Sequence, residues 1–71
     1  MSFDNIGSAM LILFDELKDD KQSKSLIKQI DEAESDAQIK SGLKKGVKRL
    51  RELGKNALAD DIEKKTKGFA F

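Results

Sequence analysis

Wound at about 100° per residue, residues 5–18 place Ile6, Met10, Leu13 and Leu17 on one line, with Ala9 and Phe14 flanking it. That stripe predicts a first helix over residues 4–18, opening near Asp4 or Asn5, both good N-caps. Leu11 and Ile12 fall outside the stripe, on either side of Asp15. The six consecutive apolar residues from Ala9 to Phe14 therefore combine a core stripe with two large aliphatics on the back of the same helix. The polar stretch Asp19-Asp20-Lys21-Gln22-Ser23-Lys24 follows. Two aspartates at a helix C-terminus oppose its dipole, so the helix should stop there, with a basic neighbour to compensate.

A second helix, over 25–34, would be capped by Ser25 and bury Leu26, Ile27, Ile30 and Ala33. Ser35-Asp36-Ala37-Gln38 fits the capping box, in which an N-cap serine and a glutamine three residues on satisfy backbone donors reciprocally. We therefore expect a break at Ser35 and a third helix over 36–53; the alternative is one long helix over 25–53, because Ala37 continues the stripe of the second helix. In the third helix Ile39, Leu43, Gly46, Leu50 and Leu53 alternate spacings of four and three, and Gly54 stands where a helix-ending glycine is expected. Asn56 would cap a fourth helix over 56–67, with stripe Leu58, Ala59 and Ile62, acids in its first turns and lysines in its last. Gly68 would end it, leaving Phe69-Ala70-Phe71 as an apolar tail.

This pattern predicts an all-α, small antiparallel bundle of about four helices in a single domain, residues 1–71. At 71 residues a single core barely offsets chain entropy. The chain has no Cys and no His, which removes disulfides, thiolate sites and the commonest zinc ligand. Self-association then becomes a natural way to complete the core, and a homo-oligomer is expected. The apolar run is too short for a signal sequence or a membrane span, and the lack of cysteine fits the cytoplasm.

Charge changes the picture more than composition does. Residues 1–36 carry nine acids and four lysines, a balance of −5; residues 37–71 carry ten Lys or Arg and four acids, a balance of +6. Either the halves dock on each other or the basic half meets an acidic partner. The cations concentrate on the third helix. Lys40, Lys44, Lys45, Lys48, Arg49, Arg51 and Lys55 fill the arc opposite its apolar residues, with only Glu52 opposing them. Such a face can track phosphates or an acidic protein surface, or lie solvated and partly neutralised by the acidic half. The order of the residues interleaves no exposed aromatic with these cations, which counts against stacking of single strands.

Catalysis finds little support. No histidine is available as a base near neutral pH, no nucleophile arrangement can be argued, and Gly42, Gly46 and Gly54 lack the spacing of a phosphate loop. Asp15, Glu16, Asp19 and Asp20 form two i,i+4 carboxylate pairs, read as a solvated helix end, and residues 20–31 do not match a calcium loop. No catalytic, cofactor or metal residue is assigned. Gly42 and Gly46, one turn apart inside a helix, each cost about 1 kcal/mol against alanine. Close approach of a neighbour, within the chain or from another subunit, would offset that; the alternative is simple tolerance of glycine at a partly exposed site. Leu11 and Ile12, joined by Phe14, Gly42, Gly46, Phe69 and Phe71, form the expected interface set, with the tail covering the back of the first helix in cis or in trans.

The succession LFDELKDD … LKKGVKRLRELGKNALADDIEKK resembles, in its periodicity and Leu/Lys texture, the small four-helix immunity proteins that protect bacteriocin producers. The likeness covers roughly two thirds of the chain, contains no diagnostic motif and transfers no residue role. The expectation is a non-catalytic accessory or regulatory protein acting through protein–protein contact. The alternative is a nucleic-acid-associated protein that touches phosphates without reading sequence.

Overall fold

The computed structural model describes residues 3–71, with side chains from Asn5 onward. Helix α1 spans Phe3–Leu17, a 3₁₀ turn spans Lys21–Ser23, α2 spans Lys24–Asp31, α3 spans Asp36–Glu52 and α4 spans Asn56–Lys65. The protein is all-helical, and no strand occurs among the described residues. Helices α1 and α3 each pack against all three others, whereas α2 and α4 make no comparable contact with each other.

The helix boundaries show which local signals decided them. The chain breaks at Ser35 as the capping box predicts. Ser35 sits in extended backbone, and its hydroxyl accepts the Gln38 backbone N–H at 3.3 Å. The glutamine does not close the box on Ser35; its Oε1 accepts the N–H of Glu34 at 2.6 Å, one residue further back. At the other end, Gly54 adopts φ +81°, a conformation open to glycine and costly for other residues. The Lys55 N–H then reaches Leu50 O at 2.8 Å and the Gly54 N–H reaches Arg51 O at 3.0 Å, the paired bonds of a Schellman ending.

Three expected caps are displaced. The chain is already helical at Phe3, so Asp4 and Asn5 lie inside the first turn of α1. The cap of α2 is Ser23, not Ser25, because the 3₁₀ turn Lys21–Ser23 runs directly into the helix at Lys24 and leaves Ser25 as its second residue. The cap of α4 is Lys55, without a side-chain bond, and Asn56 is the first helical residue. There the Schellman ending of α3 delivers the chain directly into α4 and leaves no extended residue for Asn56 to occupy.

The core consists of Ala9, Leu13 and Leu17 from α1, Leu26 and Ile30 from α2, Leu43, Val47 and Leu50 from α3, Ala59 and Ile62 from α4, and Ala70. Its line on α1 runs through Ala9 and Leu13, so Ile6 and Met10 are only partly buried. Leu53 is exposed, because the helix ends before it, and Val47 takes a core place that spacing had not given it. Among the described residues two polar side chains are fully buried, and both are satisfied. Thr66 Oγ1 donates to Ile62 O at 2.7 Å, and Ser23 Oγ donates to Asp20 Oδ2 at 2.5 Å.

Candidate binding surface

Gly42 and Gly46 explain how the helices come close enough to seal this core. A Cβ on Gly42 would overlap Ile30 Cγ1, and one on Gly46 would stand 2.7 Å from both terminal methyls of Leu13. The neighbours expected at these glycines are therefore α2 and α1 of the same chain. Both glycines are buried, so they position the surface rather than form it.

With its glycine face pressed inward, α3 presents its cations outward, and their fates diverge. Arg49 grips Asp20 with two bonds, Nε to Oδ2 at 2.7 Å and Nη2 to Oδ1 at 3.1 Å. This is the basic neighbour that the two aspartates ending α1 require. The Asp20 carboxyl is pulled from 3.8 to about 2, first by the Arg49 hydrogen bond and then by that of Ser23. The same bond raises Arg49 above its ordinary value. Arg51 holds Asp60 at 2.8 Å and Glu63 at 3.0 Å, and these bonds likewise push it up. Lys55 reaches Glu16 at 2.8 Å. The acidic and basic halves thus dock on each other in part, through Arg49 and Lys55.

Four lysines of the face stay outside this neutralisation. Lys45 meets only the neutral Gln29 Oε1 at 3.0 Å, and Lys40 lies over the ring of Phe69 at 5.2 Å from its centroid. Lys44 and Lys48 have no ion pair or hydrogen bond among the described residues and are exposed. Beside these two lies a groove of about 500 Å³ with Val47 and Phe71 as its apolar lining. Glu52, Glu63 and Arg51 complete it.

The tail accounts for Phe71 being there, and it corrects two expectations. Past α4 the chain reverses: Gly68 takes φ +89°, and its N–H meets Phe71 O at 2.8 Å. Ala70 is buried, Phe69 packs against the core and Phe71 stays 42% exposed. The tail therefore lies along α3 and does not cover the back of α1. It also sets an exposed aromatic among the cations, which the order of residues alone had denied. Nothing local in the sequence signals this; it follows from a turn that brings residues 69–71 beside residues 40–48.

On α1 the two extra aliphatics separate. Ile12 is partly buried and packs on the core, whereas Leu11 is 68% exposed. Near Leu11, Phe14 and Ile27 line a recess of about 360 Å³ between α1 and α2. Ile27 completes it and had been placed in the core stripe of α2. The acidic end of α1 is divided among separate cations: Asp15 faces Lys18, Glu16 faces Lys55 and Asp20 faces Arg49. Among the described residues no group of acids could hold a metal ion, and no helix is long and apolar enough to cross a membrane.

No family model, no curated protein and no solved structure matches this chain.

Proposed function

We propose that the chain is a small, non-catalytic binding protein that recognises another protein through the outer face of α3 and the C-terminal turn, and that it self-associates through α1. One observation carries the first part. Lys44 and Lys48 stand unpaired beside an apolar groove of Val47 and Phe71, while the arginines of the same helix are bound to acids. An exposed apolar anchor site beside uncommitted cations suits a segment that offers an apolar side chain next to Asp or Glu. The groove also holds Glu52 and Glu63, which pair with Arg49 and Arg51, so the free cations among its described residues number two, enough for a short acidic segment beside an apolar anchor.

The test is selection of a displayed random-peptide library on the immobilised full chain. Enriched peptides are expected to place acids beside an aromatic or aliphatic residue. Their affinity should fall by about tenfold or more with Lys44→Glu and Lys48→Glu together, and should fall also with Phe71→Ala. Peptides without acids, or equal binding by the double variant, would overturn this function.

The second reading is contact with single-stranded nucleic acid. It is favoured by Phe69 and Phe71 lying beside Lys40, Lys44 and Lys48, the mixture of rings and cations that such sites use. Fluorescence anisotropy with labelled oligothymidine at low salt decides it. Binding that weakens steeply with added salt supports phosphate contact, and no binding at low salt ends this alternative.

A further inference from the structure

Helix α1 carries two seams. The inner one, Ala9, Leu13 and Leu17, is buried in the core. The outer one runs through Gly7, Leu11 and Phe14, at spacings of four and three, and points on to Lys18 just past the helix end. Those spacings present a continuous strip to another helix. Leu11 projects from the strip, and a Cβ on Gly7 would meet nothing within 4 Å, so the strip is open to an approaching backbone. Phe14 belongs both to the strip and to the recess it shares with Ile27. A projecting leucine and an apolar recess thus lie side by side on one face.

The charges around these two features are opposite. Asp15, one turn beyond Leu11, is 76% exposed and holds Lys18 only at 3.5 Å. The recess is ringed by Lys18, Lys24, Lys28 and Asp31; with Lys18 turned to Asp15, Lys24 and Lys28 are the cations left at its α2 side. An acid therefore accompanies the projection and two cations flank the hole. The face is complementary to itself, which is the condition for pairing about a two-fold axis.

We propose that this face binds a second copy of the chain, with each Leu11 entering the Phe14–Ile27 recess of the other copy and each Asp15 meeting Lys24 or Lys28 across the interface. The proposal rests on the function given above, in that it names the partner of the α1 face, but it involves no residue of the α3 groove. A second copy accounts for the leucine, the recess and both signs of charge together, whereas an acidic ligand would use the recess and leave Leu11 beside Asp15 unexplained.

Sedimentation equilibrium of the full chain, from micromolar to millimolar concentration at physiological salt, tests it. The wild-type mass should rise toward twice 7.9 kDa. Leu11→Asp should weaken dimerisation by about a hundredfold or more. Asp15→Lys should weaken it by about tenfold, since symmetry counts each lost pair twice. Adding Lys24→Glu and Lys28→Glu to Asp15→Lys should restore it. Circular dichroism checks that Leu11→Asp folds, and the charge exchange decides the matter if it does not. A wild type that stays at 7.9 kDa throughout, a Leu11→Asp variant that dimerises normally, or a charge exchange that fails to restore would each overturn the proposal. Lys44→Glu with Lys48→Glu should leave the dimer intact. If that pair abolishes it, self-association runs through α3 and the α1 interface is wrong; if it removes only peptide binding, the two surfaces are independent.

Discussion

The inner and outer faces of α3 obey different rules, although both belong to one 17-residue helix. On the inner face a missing Cβ decides everything: Ile30 and Leu13 occupy the space above Gly42 and Gly46. On the outer face residues of nearly the same chemistry part company. Arg49 is tied to α1's end and Arg51 to α4, yet Lys48 between them has no partner among the described residues. Packing is set by volume at close range, so spacing foretells most of it: Leu43 and Leu50 are buried as their spacing requires, while Val47 joins them and Leu53 does not. Ion pairing is set by which distant side chains arrive, and arginine's planar fork holds a carboxylate better than a lysine does. The commitments on the outer face therefore follow the tertiary fold, and the uncommitted cations mark what is left for a partner.

The sharpest way to break the comparison is to fill the inner face. Gly42→Ala gains about 1 kcal/mol of helix propensity. It also drives a methyl against Ile30 Cγ1, an atom near the backbone of a β-branched side chain that cannot swing aside. We expect a net loss of about 2 kcal/mol, read by urea denaturation. Gly46→Ala should cost less, because it meets only the terminal methyls of Leu13. Ile30→Ala in the Gly42→Ala background should be less damaging than the two single changes summed. Additive losses would show that the close approach is not what the glycine serves.

The Asp20–Arg49 pair comes next, because it joins the outer face of α3 to the end of α1. The Asp20 carboxyl in the folded chain lies near 2, below its ordinary 3.8. The unfolded state therefore binds the proton more readily. The stabilisation is complete above the ordinary carboxylate value and is lost as pH falls through about 2. Asp20→Asn should lower Tm at neutral pH, and the gap from wild type should narrow across that acid window. A gap independent of pH between 3.8 and about 2 would mean the bond to Arg49 is not the source.

A smaller effect is expected at the start of α3. Ser35→Ala removes the acceptor for the Gln38 N–H and should cost about 1 kcal/mol in urea denaturation. An unchanged midpoint would show that Gln38, bonded to Glu34, holds the break without the serine.

These sites also mark what was legible in the chain. The four helices, the break at Ser35 and the close approach at the glycines follow from spacing and capping within a few residues. The caps of α2 and α4 did not, because a 3₁₀ turn and a Schellman ending bring the chain into each helix before the serine and the asparagine that local preference favoured. On the surface, the basic arc was legible as an arc, but its division into paired arginines and unpaired lysines was not. Phe71 was the least legible of all. Its place beside Lys44 and Lys48 depends on a left-handed glycine at 68 and on a reversal that residue order does not specify.

The smallest expected effect on stability belongs to the residues with the largest expected effect on binding. Lys44 and Lys48 hold no acid, and both are exposed, so changing them to Glu removes no internal bond. The double variant should keep the wild-type urea midpoint within about 0.5 kcal/mol, the range for surface changes away from special features. Reversal adds two acids where Glu52 and Glu63 already line the groove, so any shift should be a slight loss that salt diminishes. Arg51→Ala offers the contrast on the same face. It strands Asp60 and Glu63, and its midpoint should fall below that of the double lysine variant although only one cation is lost. If the double lysine variant is instead the less stable, those lysines are neutralising acids that the static pairing does not show. Their availability to a partner would then be lost as an argument. If it keeps its stability and loses peptide binding, the division between committed arginines and free lysines is a functional one.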